Sequence, residues 1–326
     1  VKVFITGIAG FLGSHLTEYY RKKGWQVSGI DSMTKYELNR TNFNAEKIRK
    51  YQMDFLKSIG AELIIGDICD ARLDEFAKDA DYIIHCAAQP AMTIALEKPA
   101  MSCYHNVLGT VNVLEAAKNL NVPVAICSSI HVYGNGDNEY LDGLIKEKFR
   151  YKEDEKLLAG NVTPLHIDKY ADELYGAFIE SYGMKTAAFR LTGFYGERQF
   201  GGEDHGWIAN FAIRTELGLP IKVFGTDTQV RDALYVRDVC RAFDNWHENG
   251  QPPGIYNIGG GKQITLSIKQ CLTYEAGLLA KAQDIEMLPA RQGDLWYMVC
   301  DITKANKAFG WQPECEWVRN NRGLFE

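Results

Sequence analysis

The chain has 326 residues, 46% of them apolar and 24% charged, with a net charge of −6. That is enough for one large domain or two unequal ones around a full core. The acidic balance leaves no electrostatic footprint for nucleic acid. No apolar run reaches the ~18 residues of a membrane helix, and the chain enters a strand-like run at once, so neither a span nor a leader is expected. Eight cysteines, at 69, 86, 103, 127, 240, 271, 300 and 315, form no C-x-x-C pair, which argues against a zinc site or redox dithiol. Reduced thiols of a cytoplasmic protein are the expectation.

In chain order, short apolar runs at 1–5, 26–30, 61–65, 82–86, 124–127 and 186–190 predict buried parallel strands. Helix-like segments lie between them at 12–23, 107–120 and 167–182. In the last, Tyr170, Leu174, Phe178 and Tyr182 recur at helical spacing. This alternation predicts an α/β chain with a Rossmann-type doubly wound parallel sheet. Beyond residue 193 come a glycine-rich loop at 193–206, a helix at 207–218 and short strands at 221–225 and 229–236. A helix at 238–249 and a glycine loop at 259–261 before a further helix follow. The division implied is a nucleotide-binding domain of 1–193 with about 229–258, and a smaller C-terminal α/β substrate domain of about 194–228 with 259–326. No linker separates them, so they should pack directly together.

Gly7, Gly10 and Gly13 follow the first strand and open a helix, the context that turns a G-x-x-G-x-x-G spacing into a dinucleotide signal. Gly7 permits the turn, Gly10 lets a pyrophosphate reach the backbone, and Gly13 lets helix and sheet pack closely. Phe11 and Leu12 sit at the helix N-terminus, whose amides face the phosphates. Asp31 ends the second strand; its carboxylate suits both adenosine ribose hydroxyls and repels a 2′-phosphate, which favours NAD over NADP. Asp67 and Ile68 follow the third strand, where Asp67 reaches adenine or caps the next helix. Ala87 and Ala88, after the fourth strand, let a cofactor lie against the backbone or serve packing.

These residues resemble the extended short-chain dehydrogenase/reductase superfamily. The likeness runs through the glycine turn, His85 to Ala88, Asn106, Ser128 to Gly134 and Lys169, and covers nearly the whole chain. Within it the chain is most similar to enzymes of the CDP-paratose 2-epimerase (CDP-tyvelose epimerase) type. That likeness is carried by Gln89 to Thr93, Tyr195 to Phe200, Glu203 to Trp207 and Gln229 to Asp232. The resemblance implies an NAD-dependent epimerase of a nucleotide-activated sugar, working by transient oxidation to a ketone and return of hydride. It implies Asn106 and Lys169 as cofactor groups, Ser129 as the catalytic hydroxyl, and Gln89, Met92 and Thr93 at the substrate. It also implies a homodimer built on the helices at 107–120 and 167–182.

One departure stands out. The family pairs a tyrosine with the lysine four residues later, and here the tyrosine position is Leu165. A leucine exchanges no proton. His166 and Tyr170 stand about 100° off the 165/169 face of a helix, but a frayed first turn lets either rotate inward, so His166 is a catalytic candidate beside Ser129, His131 and Lys169. His131 alternates with Ser129 at strand spacing and should leave the sheet on the same side. It also matches the position of a carboxylate base in related 4,6-dehydratases. An imidazole there suits proton exchange, or else bonds a nearby carbonyl as a structural group.

For a sugar diphosphate, Arg231 and Arg291 are the candidate cations, Arg291 in a turn with Asp294 that resembles the family's phosphate- and ribose-binding turn. Arg198 and Trp207 are expected to line the same pocket. Each arginine has a surface ion pair as its alternative reading, and Trp207 has core packing. No metal site is expected. The competing outcomes are elimination or decarboxylation of the ketone, or a silent NAD-binding scaffold.

Overall fold

Strand β1 (Lys2–Thr6) buries Val3, Phe4 and Ile5 on both faces. A strand covered by helices on both sides needs such an unbroken apolar run. The computed structural model describes residues 1–34, 41, 43–70, 72–134, 140–141, 144–145 and 150–314.

In chain order β1 is followed by α1 (Phe11–Lys22), β2 (Gln26–Asp31), α2 (Ala45–Ser58), β3 (Glu62–Ile65), α3 (Leu73–Ala77) and β4 (Tyr82–His85). Next come α4 (Met92–Glu97), α5 (Pro99–Cys103), a π-helical turn (Tyr104–Leu108), α6 (Gly109–Leu120) and β5 (Val124–Ser129). A 3-10 turn (Ile130–Tyr133), the short pair β6 (Tyr140–Leu141) and β7 (Leu144–Ile145), α7 (Pro164–Glu180) and β8 (Thr186–Leu191) complete this half.

The smaller part holds β9 (Gly193–Tyr195), α8 (Trp207–Leu217), β10 (Ile221–Phe224), β11 (Val230–Tyr235) and α9 (Val236–Glu248). After these come β12 (Gly254–Ile258), β13 (Thr265–Ser267), α10 (Ile268–Leu279), β14 (Ile285–Leu288), β15 (Tyr297–Met298) and α11 (Thr303–Phe309).

The main sheet has seven strands in the order β12–β8–β5–β4–β1–β2–β3, with every neighbouring pair parallel. The chain winds outward from β1 to β3, then returns to start the other half at β4. The β1/β4 boundary, where Thr6 pairs with His85, is therefore the switch point. Ligands of such sheets bind at the carboxyl ends of the strands flanking that point. The doubly wound sheet expected from the alternation is present.

Three elements differ from expectation. Helix α2 was not anticipated because it buries only Ile48, Gln52 and Leu56, a narrow stripe with a polar residue in its middle. Strand β12 follows two prolines and carries the buried Asn257, which blurs its apolar run. Strand β11, expected in the nucleotide-binding domain, pairs instead with β9, β13 and β15, while α9 and β12 lie with the main sheet. One hydrophobic cluster joins Val3 and Ile5 to Ile208, Phe211 and Leu272, so the two parts share a core as expected. The end of the second expected domain, 315–326, lies outside the described residues, as does Cys315. Among the described residues no helix is long and apolar enough to cross a membrane.

Candidate active site

A cavity of about 480 Å³ opens at the switch point and runs into the smaller part. Its first wall is the glycine turn. Gly7 has φ +68, and a Cβ there would stand 2.8 Å from Ala87 N. A Cβ on Gly13 would stand 2.1 Å from Gly7 O, and one on Gly10 3.0 Å from the same atom. No side chain caps α1 at Gly10, so the amides of its first turn are left to a bound anion. Phe11 and Leu12 line the cavity beside them, with Phe11 stacked on Phe194 at 5.4 Å. A pyrophosphate fits a cradle that any side chain would fill.

Asp31 closes the turn from the β2 side. Its Oδ2 accepts from Ala9 N at 3.0 Å and its Oδ1 from Met33 N at 2.8 Å, and the carboxylate still lines the cavity. Asp67 Oδ1 accepts from Cys69 N at 2.9 Å and the residue lines the cavity next to Ile68; it does not cap α3, whose N-cap is Arg72. Asp67, Cys69 and His105 bring three donor atoms within 4.8 Å of one another, a grouping the spacing did not reveal. Burial pushes the Cys69 thiol up to about 11, which works against a thiolate ligand. Ala87 and Ala88 line the cavity as expected.

Asn106 and Thr93 are not among the residues lining the cavity. Asn106 is fully buried; its Oδ1 accepts from Gln89 N at 2.7 Å, and its Nδ2 donates to Gln89 O at 3.1 Å and Asp168 Oδ2 at 3.3 Å. It holds the loop after β4 in place and does not reach the cavity. Gln89 lines the cavity, but its amide is spent on Ala91, accepting from N at 2.6 Å and donating to O at 3.0 Å. Both residues position the loop that carries Ala87 and Ala88.

Ser129 ends β5, and the chain then turns through Ile130–Tyr133, so the strand alternation expected for His131 does not hold. His131 reaches the cavity by the turn instead: its N–H donates to Ser129 Oγ at 3.2 Å, and both residues line the cavity. His166 was expected at this face only with a frayed first turn. It is fully buried, off the cavity surface, with Nε2 3.2 Å from His131 Nδ1 and rings 24° from parallel. Burial lowers His131 to about 3, helped by His166 and Arg231, and lowers His166 to about 4. Leu165, 3% exposed, lines the cavity where a tyrosine was expected. Lys169 lines it too; Nζ donates to Asp172 Oδ2 at 2.9 Å and Cys127 O at 3.2 Å. Burial opposes the ammonium, and Asp172 outweighs it and holds the lysine above its ordinary value. Cys86 and Cys127 also line this floor with their sulfurs 3.5 Å apart, an adjacency across β4 and β5 that no C-x-x-C rule detects.

Met92, Arg198, Trp207, Arg231, Arg291 and Asp294 line the cavity too. Arg231 donates to the carbonyls of Val230, at 2.9 Å, and Leu295, and makes no ion pair among the described residues. Burial pulls its guanidinium down to about 10. Arg291 pairs with Asp294 Oδ1 at 3.1 Å and lies 4.3 Å over the Phe224 ring. Arg198 pairs with Glu18 at 2.7 Å, the ion-pair reading, while still facing the cavity. Trp207 begins α8 and packs edge-on to Phe211 at 5.7 Å. Gly293 seats this turn against His166, with a Cβ there 3.3 Å from His166 Cε1. Phe194, Phe200, Glu203 and His205 also line the cavity; the last three lie in the segments that carry the family likeness, where no individual role was assigned to them.

A doubly wound sheet with a glycine cradle and a pocket shared with a smaller part defines a dinucleotide-dependent enzyme architecture. Residues 3–259 match the family model of the NAD dependent epimerase/dehydratase family, and the chain belongs to that family. Its cofactor is NAD. The chain is 29% identical over 336 residues to a putative UDP-glucose 4-epimerase of Methanocaldococcus jannaschii, covering 98% of this chain and 99% of that protein. It is 28% identical to a CDP-paratose 2-epimerase of Salmonella typhi, covering 96% and 95%. Its fold is similar to that of the UDP-glucose 4-epimerase of Thermus thermophilus in complex with NAD. The TM-score is 0.80 and the identity 27%, over 99% of this chain and 97% of that one.

Proposed function

We propose that the chain is an NAD-dependent epimerase of a nucleotide-diphosphate sugar. The observation that carries this reading is one continuous cavity. It runs from the glycine turn past Ser129, His131 and Lys169 to Arg231, a half-buried cation with no ion pair among the described residues. When bound, NAD takes up hydride from a carbinol and returns it. Gly7, Gly10, Phe11, Leu12, Gly13, Asp31 and Asp67 would hold it, and Lys169, kept charged by Asp172, would offer its ammonium to the ribose hydroxyls.

Arg231 supplies an unshared guanidinium for a diphosphate. Arg291, fixed by Asp294 and the Phe224 ring, borders the same space and orients rather than neutralises. Ser129 and His131 meet the sugar oxygen, since Leu165 offers it nothing. The relatives are named for a UDP sugar and a CDP sugar at nearly equal distance, so either base suits the cavity.

The described cysteines are all free thiols, including the close Cys86 and Cys127, which supports a reducing, cytoplasmic setting. Leu108, Ile167, Leu174, Phe178 and Tyr182 are exposed on the π-turn, α7 and its end, between 43% and 57%. Such an apolar face supports a homodimer through α6 and α7.

The test is incubation of the purified protein with a panel of UDP- and CDP-sugars, followed by mass and proton spectra of the products. A product of unchanged mass and inverted configuration is expected. Loss of water or carbon dioxide would make it a lyase, and tight NAD binding with no turnover on the panel would make it a scaffold.

A further inference from the structure

Thr163, His166 and His131 form a chain of hydrogen bonds whose direction is set at one end. Thr163 N–H donates to His166 Nδ1 at 2.9 Å. A backbone N–H only donates, so neutral His166 carries its proton on Nε2. That Nε2 faces His131 Nδ1 at 3.2 Å, so His131 accepts there and carries its own proton on Nε2. The His131 ring lines the cavity and its Nε2 has no protein partner among the described residues. Charging either ring breaks the chain. A proton on His166 Nδ1 would oppose Thr163 N–H, and one on His131 Nδ1 would oppose the His166 proton. The titratable groups facing His131 are His166 from α7 and Arg231 from β11, and neither favours a positive ring.

We infer that His131 presents an N–H and no lone pair to the cavity and acts as a neutral hydrogen-bond donor to the sugar oxygen. Thr163 and His166 are the positioning residues that select its tautomer. The identity of the acceptor rests on the proposed sugar pocket; the tautomer does not. A neutral imidazole donor stabilises the negative charge that builds on a carbonyl oxygen as hydride returns to its carbon. His131 therefore leaves the role of proton acceptor expected from the sequence. The carbinol proton passes through the Ser129 hydroxyl to water as hydride leaves, and a proton returns by the same path when hydride does. The His131 ring gains and loses nothing over the cycle.

The test uses the full-length ¹⁵N-labelled protein without added ligand. Long-range ¹⁵N–¹H spectra of the imidazoles are recorded from pH 8 to pH 5, and His131 is assigned with the His131→Gln variant. The expected pattern is protonated Nε2 and bare Nδ1 at every pH. A proton on Nδ1, or a ring that titrates near the ordinary value of about 6.5, would overturn the inference. In His166→Phe the lock is absent, and a mixture of tautomers is expected; an unchanged His131 pattern would remove His166 from the argument.

Activity gives a separate reading. His131→Gln, whose amide still donates, should keep kcat within about tenfold, while His131→Ala should lose about 100-fold. A glutamine variant as inactive as the alanine one would refute the donor role. Failure of every sugar on the panel would defeat the proposed function, and the spectra would still decide the tautomer.

Discussion

At Leu165 an isobutyl group faces the same cavity as Ser129 and Lys169. The lysine is nonetheless fully maintained, buried and paired with Asp172 at 2.9 Å. A charge kept at that cost fits a role at the cofactor better than one at a missing phenol. The residue that distinguishes the sugar end is Arg231, since Arg198 and Arg291 already have carboxylate partners. Arg231→Ala should weaken binding of UDP or CDP about 100-fold, the scale of charge-assisted hydrogen bonds in a buried site. NAD affinity, measured by calorimetry, should stay unchanged, because the bonds of Arg231 go to Val230 and Leu295 and to none of the residues proposed to hold the cofactor. Equal loss of both affinities would place Arg231 in the fold and remove it from the site. Of the site residues, the glycines and Asp31 were legible because their chemistry is local to one turn. The amides of Asn106 and Gln89 both turn onto the loop after β4, Asn106 to the Gln89 backbone and Gln89 to Ala91, and no sequence pattern announces that.

Among the elements, α7 is tied to the main sheet by buried charge. Its Glu173 meets Arg190 of β8 in a bidentate pair, Oε1 to Nε at 2.9 Å and Oε2 to Nη2 at 2.8 Å, and also accepts from Ser128 at 2.6 Å. Arg190 continues to Tyr133 OH at 3.0 Å and Glu153 O at 3.1 Å. Arg190→Met should cost about 3–5 kcal/mol in denaturant unfolding, because Glu173 would remain charged and buried. Adding Glu173→Leu should recover most of that loss; no recovery would mean that packing, not the orphaned charge, sets the cost. The outer face of α7 carries the exposed Leu174 and Phe178. Phe178→Glu should convert a dimer to a monomer by light scattering, and wild-type protein that is already monomeric would end the proposal of a helix-paired dimer.

For the whole molecule, four histidines, three of them buried and His131 half-buried, stay neutral. Burial is the largest cause in each case, lowering His15 and His166 to about 4 and His85 and His131 to about 3. The unfolded chain binds their protons near pH 6.5 and the folded chain does not, so stability rises with pH across this range. It is fully present above about 6.5 and falls as pH drops toward 4, by roughly 1 kcal/mol per group per pH unit. The melting temperature should therefore fall steadily between pH 6.5 and 4.5. A flat profile would mean that the rings are protonated or exposed in the native state.

What the sequence determined alone was periodic or local. Apolar runs buried on both faces defined the parallel sheet, and the glycine spacing defined the cradle. The tertiary structure alone decided which strand joins which sheet, since β11 has the same kind of sequence as a main-sheet strand. It also decided the direction of His166, the company of each arginine and the contact of Cys86 with Cys127. His166, Cys86 and Arg198 meet partners 35 to 180 residues away in the chain, and a side chain's neighbours at that distance are set by packing, which no local pattern records.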